Sequence, residues 1–132
     1  MVSKFEGSKK EWEPLFKDGL IKVQKNGFDL YIPNTNSDEY GCFLVDSICG
    51  HDCVAYDSKS VHSYYILEGN GTFEVDGKKI NAEAGVKVSI DPNKVFYYSG
   101  TMKMVEEIVP NFDEKHFHVV EQVTYDESKK KK

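Results

Sequence analysis

Val61-His62-Ser63-Tyr64-Tyr65-Ile66-Leu67-Glu68-Gly69 is followed, after one residue, by Gly71-Thr72-Phe73-Glu74-Val75-Asp76-Gly77. The first run is rich in β-branched and aromatic residues and stops at a glycine; the second runs into an Asp-Gly turn signal. Read alone, the pair predicts two strands joined by a glycine turn near 69–71, the central hairpin of a small β-barrel.

The pattern continues outward in both directions. Gly19 to Lys25 alternates apolar and polar residues, the period of a strand. Asn26-Gly27 is a hairpin turn signal, and Phe28 to Ile32 continues the alternation. Pro33 to Asp38 is a loop by composition, Cys42 to Ile48 a strand, and 57–60 a polar connection. On the other side, strands are expected at 78–82, 86–90, 95–98, 102–109 and 117–124. Turn residues at Ala84-Gly85, Asp91-Pro92-Asn93 and Pro110 to Asp113 separate them. About nine or ten short strands at such spacing describe a sandwich or barrel. No long helix is expected; Ser8 with Glu11 has capping-box spacing, which marks a short helical turn near 8–13.

The 132 residues suit one domain, expected over 12–125 between a loose segment at 1–11 and a lysine-rich tail at 126–132. The net charge of −5 disfavours nucleic acid as a partner, since that requires a basic face. No stretch is long and apolar enough to span a membrane, and the first ten residues lack the apolar core of a signal peptide. Three cysteines do not make a disulfide framework, so a reducing, cytoplasmic setting is expected.

From Gly50 to Gly100 the chain resembles the cupin family of small jelly-roll barrels. The first family motif is a glycine, five residues, His-x-His, three or four residues, Glu, six residues and Gly. The second is a glycine, five residues, Pro-x-Gly, two residues, His, three residues and Asn. Gly50, Gly69 and Gly85 fall in register with these, and 15 residues separate Gly69 from Gly85, a compact spacing between the motifs. The resemblance covers about residues 12–122 and implies an all-β fold, a cupin-type double-stranded β-helix, with a homodimer as its usual assembly.

The positions that hold metal in the family are altered here. Tyr56 and Ser58 stand at the two His positions, His62 at the Glu position, and Phe96 at the second-motif His; Gly100 replaces the terminal Asn. The four-residue spacing instead puts Ala55 and Asp57 at the His positions. Either way the set falls short of the three or four ligands that a first-row metal requires, so no metal and no cofactor are expected.

What the frame implies is a pocket. If His62 points inward, as its family counterpart does, strand alternation sends Tyr64 and Ile66 inward with it, and Phe96 and Tyr98 share an inner face. The candidate pocket therefore combines Tyr56, Ser58, His62, Tyr64, Phe96 and Tyr98, with Glu106 joining if its face of the strand is the inner one. Aromatic walls with a few hydroxyls and one imidazole suit a small, partly polar ligand such as a sugar or organic acid. His62 is the natural acid–base group and Tyr64 its helper.

Two other clusters compete for attention. Cys49-Gly50-His51-Asp52-Cys53, with Cys42 upstream, suggests zinc, but residues 49 and 53 on an extended strand lie roughly 13 Å apart. Zinc needs its sulfurs within about 4 Å, so free thiols are expected. His116 and His118 share one strand face, outside the pocket by analogy with the family, and suggest a surface or interface role. Three functional readings stay open: a metal-independent isomerase or epimerase, a non-catalytic binding or structural barrel with a filled interior, and an atypical metalloenzyme that recruits His51 or Glu106.

Overall fold

The computed structural model describes residues 2–4, 21–33 and 36–125. The expected helical turn near 8–13, the apolar Trp12, Leu15 and Phe16, and the 126–132 tail lie outside the described residues. Among the described residues ten strands follow one another: β1 Val2–Lys4, β2 Ile21–Gln24, β3 Phe28–Ile32, β4 Gly41–Ser47, β5 Cys53–Asp57, β6 Val61–Val75, β7 Lys78–Glu83, β8 Val86–Ile90, β9 Phe96–Val109 and β10 Phe117–Gln122. A 3-10 turn, Glu114–His116, precedes β10. Val2–Lys4, inside the segment that composition assigns no structure, pairs antiparallel with β8. No helix among the described residues is long and apolar enough to cross a membrane.

The expected central hairpin is not formed. Residues 61–75 make one fifteen-residue strand, and 96–109 make one fourteen-residue partner that pairs with it from end to end. The glycines serve as a bend. Gly69 and Gly100 have φ of +82° and +119°, and a Cβ at Gly100 would sit 2.6 Å from the Gly71 Cα. Backbones that cross this closely have no room for a side chain, so glycine bends the two strands together. A register shift between Ile66 and Glu68 adds to the bend.

Because β6 and β9 bend together, they belong to two sheets. Their 61–68 and 102–109 halves lie in a sheet of order β1-β8-β6-β9-β4-β3-β2. Their 70–75 and 96–101 halves lie in the second sheet, where β7 flanks β6 and the order continues from β9 through β5 to β10. The two sheets close on each other as a jelly-roll barrel.

Alternation then fills the interior. β6 buries His62, Tyr64 and Ile66 while Tyr65 and Leu67 face outward, and β9 buries Phe96 and Tyr98. Val45, Ile66, Phe73, Val88, Met102 and Met104 are completely or almost completely buried at one end of the barrel. At the other end the interior is not filled: a cavity of about 790 Å³ opens there.

Candidate active site

The cavity collects side chains from strands far apart in the chain. β6 supplies His62 and Tyr64, β9 supplies Phe96, Tyr98 and Glu106, the residues leading into β5 supply His51, β3 supplies Phe28, and β10 supplies Phe117. Phe112, Phe117 and Val119 are partly exposed at the opening.

Asp57, the last residue of β5, faces inward because that strand buries Cys53, Ala55 and Asp57 in alternation. Its Oδ1 accepts the Lys59 and Ser60 amides at 2.9 and 2.8 Å, a turn that ends the strand and fixes the carboxylate. Its Oδ2 accepts from His62 Nε2 at 2.8 Å, and Glu106 Oε2 accepts from His62 Nδ1 at 2.8 Å. Carboxylates on both ring nitrogens require both to carry protons. Burial opposes the resulting charge, but the bonds to Asp57 and Glu106 outweigh it, and the His62 pKa is pushed up to about 9. Burial raises the Asp57 pKa, and the bonds from His62 and the two amides more than reverse that, holding the carboxyl below its ordinary value. His62 is thus an imidazolium sealed between two carboxylates. It anchors Glu106, and neither nitrogen is left for a ligand.

His51 is the opposite case. Its Nδ1 lies 2.7 Å from the Cys53 carbonyl oxygen, which can only accept, so Nδ1 carries the proton of the neutral ring. Nε2 then holds a lone pair, and the Asp52 carboxylate lies 4.0 Å from it. Burial lowers the His51 pKa, against the pull of Asp52 and Glu106. The ring is held by aromatic neighbours, with centroids 5.0 Å from Tyr98, 5.5 Å from Phe96 and 5.6 Å from Phe28. Tyr64 packs on Tyr98 at 5.5 Å, and the Glu106 carboxylate lies close to it. Burial first, and the Glu106 charge second, push both phenols well above their ordinary pKa, so each keeps its O–H.

Of the residues that the sequence points to, His62, Tyr64, Phe96, Tyr98 and Glu106 meet at this cavity. Tyr56 and Ser58 do not. Tyr56 faces out and stacks on His118 at 4.8 Å, while the exposed Ser58 donates to the His116 carbonyl at 3.2 Å. The strand register follows the four-residue spacing, with Ala55 and Asp57 inward. One residue of offset exchanges the two faces of a strand. His51 and Asp57 are the functional candidates that the pocket reading omitted. The signals were present in Gly50-His51, set aside with the zinc reading, and in Asp57 followed two and three residues later by the amides it caps.

The metal centre common in cupins does not fit these residues. Ala55 and Phe96 bring no donor, and both His62 nitrogens are committed to carboxylates. His51, Asp52 and Cys53 place potential ligand atoms within 4.8 Å of one another. However, Nδ1 of His51 is bound to a carbonyl, and burial with the Asp52 charge pushes the Cys53 thiol up to about 12, against the thiolate that a metal requires.

No protein-family profile matches the chain, and no curated protein matches it. Solved structures do. The Streptomyces protein Pac13, described as a unique nucleoside dehydratase, is 23% identical over 92% of this chain and 95% of its own, with a TM-score of 0.76. KdgF from Halomonas sp. is 12% identical over 72% of this chain and 90% of its own, with a TM-score of 0.63. Ectoine synthase from P. lautus is 16% identical over 80% and 85%, with a TM-score of 0.64. These are cupin-fold proteins, and the chain has the cupin fold.

Proposed function

We propose that this cupin barrel is a metal-independent acid–base enzyme that removes water from a nucleoside-type substrate bearing a carbonyl group. The observation that carries the reading is the His51–Tyr64–Tyr98 cluster in the cavity. A neutral imidazole with a free Nε2 lone pair stands beside two protonated phenols. Pac13 has been solved with uridine as a histidine-to-glutamine variant and as two tyrosine-to-phenylalanine variants. Those three residues are thirteen and thirty-four positions apart, as are His51, Tyr64 and Tyr98.

The chemistry follows from the groups present. A carbon–hydrogen bond is acidic enough for an imidazole base when it adjoins a carbonyl. His51 Nε2 takes that proton, and a phenol hydrogen bond from Tyr64 or Tyr98 steadies the negative charge that develops on the carbonyl oxygen. The electron pair then forms a carbon–carbon double bond as the β-hydroxyl leaves. The phenols are too weakly acidic to protonate the departing oxygen and His62 is sealed, so the His51 imidazolium returns the proton and water departs. Glu106, held by the His62 cation, keeps a negative charge beside Tyr64 that disfavours loss of its phenol proton. The aromatic walls and opening suit a planar base ring.

The test pairs calorimetry with uridine and mass spectrometry with uridine derivatives oxidised to a carbonyl. Binding, with loss of one water from an oxidised derivative, is expected, and His51→Gln should lower turnover about 10²–10⁴-fold. Equal turnover in His51→Gln would remove the assignment. Uptake of solvent deuterium without water loss would mean that the same base runs an epimerase or isomerase.

A further inference from the structure

We propose that Tyr125, three residues beyond β10, is a positioning residue for His51, so that the far end of the fold sets where the proposed base stands. This rests on the reading of His51 given above.

The backbone around His51 is held from three directions. Behind it, the Gly27 carbonyl accepts the amides of Ile48, Cys49 and Gly50 at 3.0, 2.9 and 3.2 Å. Beside it, the His51 amide donates to the Tyr98 carbonyl at 2.9 Å, and the Gly100 amide donates to the Cys49 carbonyl at 2.9 Å. The third hold comes from the end of the described chain. The Val123 amide donates to the Asp52 carbonyl at 2.9 Å, and the Tyr125 hydroxyl donates to the His51 carbonyl at 3.1 Å. Since Tyr125 spends its hydrogen on that carbonyl, the Tyr97 hydroxyl is the donor in the Tyr97–Tyr125 contact.

Tyr125 is itself locked in place. Its amide donates to Asn26 Oδ1 at 2.5 Å, and Asn26 Nδ2 donates back to the Tyr125 carbonyl at 3.4 Å. Its ring uses space that two glycines leave. A Cβ on Gly27 would lie 2.6 Å from the ring, and a Cβ on Gly50 would lie 2.6 Å from the hydroxyl. Asn26-Gly27, which reads as an ordinary hairpin turn, therefore doubles as the receptor for the chain end. Of the two residues that the Tyr125 hydroxyl contacts, His51 lines the cavity and Tyr97 does not, and neither does Tyr125 itself. Its influence must pass through the backbone of the 51–53 segment, where the Cys53 carbonyl accepts the short bond from His51 Nδ1 that selects the tautomer.

The consequence is measurable on His51 without any substrate. The titratable groups that act on its ring are Asp52 and Cys53 on its own segment, Tyr98 and Glu106 from β9, and His62 from β6, with Lys25 elsewhere in the cavity lining. None of these is altered by changing Tyr125, so a change in His51 reports its position.

The experiment uses Tyr125→Phe, which keeps the ring and removes the hydroxyl, and Tyr125→Ala, which empties the space between the glycines. Imidazole ¹⁵N shifts are followed against pH in the ligand-free protein. The wild type should show the Nδ1–H tautomer. Tyr125→Phe should mix the tautomers and move the His51 titration up towards the ordinary histidine range. With an oxidised uridine substrate, its kcat should fall about tenfold to a hundredfold with KM little changed, as expected when a reacting group is misplaced. Unchanged His51 signals and titration in Tyr125→Phe overturn the proposal, even if its melting temperature falls, because a merely structural tyrosine would lower stability alone. Should Tyr125→Ala not fold, Tyr125→Phe decides. If no variant, wild type included, turns over any uridine derivative, the dehydratase reading fails while the ¹⁵N result still decides the role of Tyr125.

Discussion

The two ends of the barrel interior are built from the same strands and behave as different materials. At one end β6 and β9 contribute Ile66, Phe73, Met102 and Met104, which pack with Val45 and Val88 and leave no polar atom to satisfy. At the other end the same strands contribute His62, Tyr64, Tyr98 and Glu106 around open space. Tyr64 marks the boundary, with its ring against Phe73 at 5.1 Å on one side and against Tyr98 at 5.5 Å on the other. The filled end supplies stability through burial and close packing. The open end gives up packing and buries charge, which persists because each charged group has fixed partners. The difference teaches that this barrel does not spread its polar groups: it concentrates strain-prone chemistry where the walls can be held from outside.

Within the open end the two histidines repeat the contrast. Their environments push their pKa values in opposite directions, His62 up through its carboxylates and His51 down through burial. Such divergence separates roles in an acid–base site. One ring is charged at neutral pH and held between carboxylates; the other is neutral and is the base of the proposed reaction.

The division can be broken or sharpened by mutation. The largest effect is expected from His51→Gln, with turnover reduced about 10²–10⁴-fold and the melting temperature nearly unchanged, read by kinetics beside calorimetry. Phe73→Ala should do the reverse. It should cost about 3–5 kcal/mol in denaturant unfolding, with uridine affinity retained in the folded fraction. If Phe73→Ala abolished binding without loss of stability, the two ends would not be separable.

The pH dependence should sharpen the contrast between the histidines. His62 has a folded pKa raised to about 9, so its contribution is complete below the ordinary value near 6.5 and disappears as pH rises through about 9. That contribution is on the order of 3 kcal/mol. His51 has a folded pKa below its ordinary value, so unfolding takes up a proton as pH falls below about 6.5 and stability declines. Asp57 adds to the acid-side loss, because its pKa is also lowered. Unfolding free energies should therefore peak near neutrality. In His62→Gln the loss between pH 7 and 9 should disappear; a loss of wild-type size in that variant would refute the sealed imidazolium.

The smallest effects are expected outside the barrel. Tyr56→Phe and Ser58→Ala should leave uridine binding and turnover unchanged and alter stability by no more than about 0.5 kcal/mol. A defect in ligand binding in either would return them to the pocket.

Much of this was legible in the residues. Period-two alternation places His62, Tyr64 and Ile66 on one face and Tyr65 and Leu67 on the other, because successive side chains of any extended strand point to opposite sides. The same rule gives Phe96 with Tyr98. The glycine register identifies the barrel. The face taken by Glu106 needed the β4 and β6 pairings on either side of β9, which send Glu106 inward and leave Glu107 outside, in contact with the Tyr40 hydroxyl at 2.5 Å.

What the chain alone determined is the set of elements and the facing of residues within each, since both arise from local geometry. What only the tertiary structure decided is how separate segments meet. Gly69-Asn70-Gly71 has the composition of a turn, and it becomes a bend because Gly100 of β9 crosses directly against it. Tyr56 or Asp57 could each have faced inward until the pairing of β5 with β10 and the bond to His62 chose Asp57. His51 is one residue after a glycine in an irregular stretch, where no periodicity applies. Its place is set by carbonyls and a tyrosine hydroxyl from residues 27, 98 and 125, contacts that exist only once the chain has closed on itself.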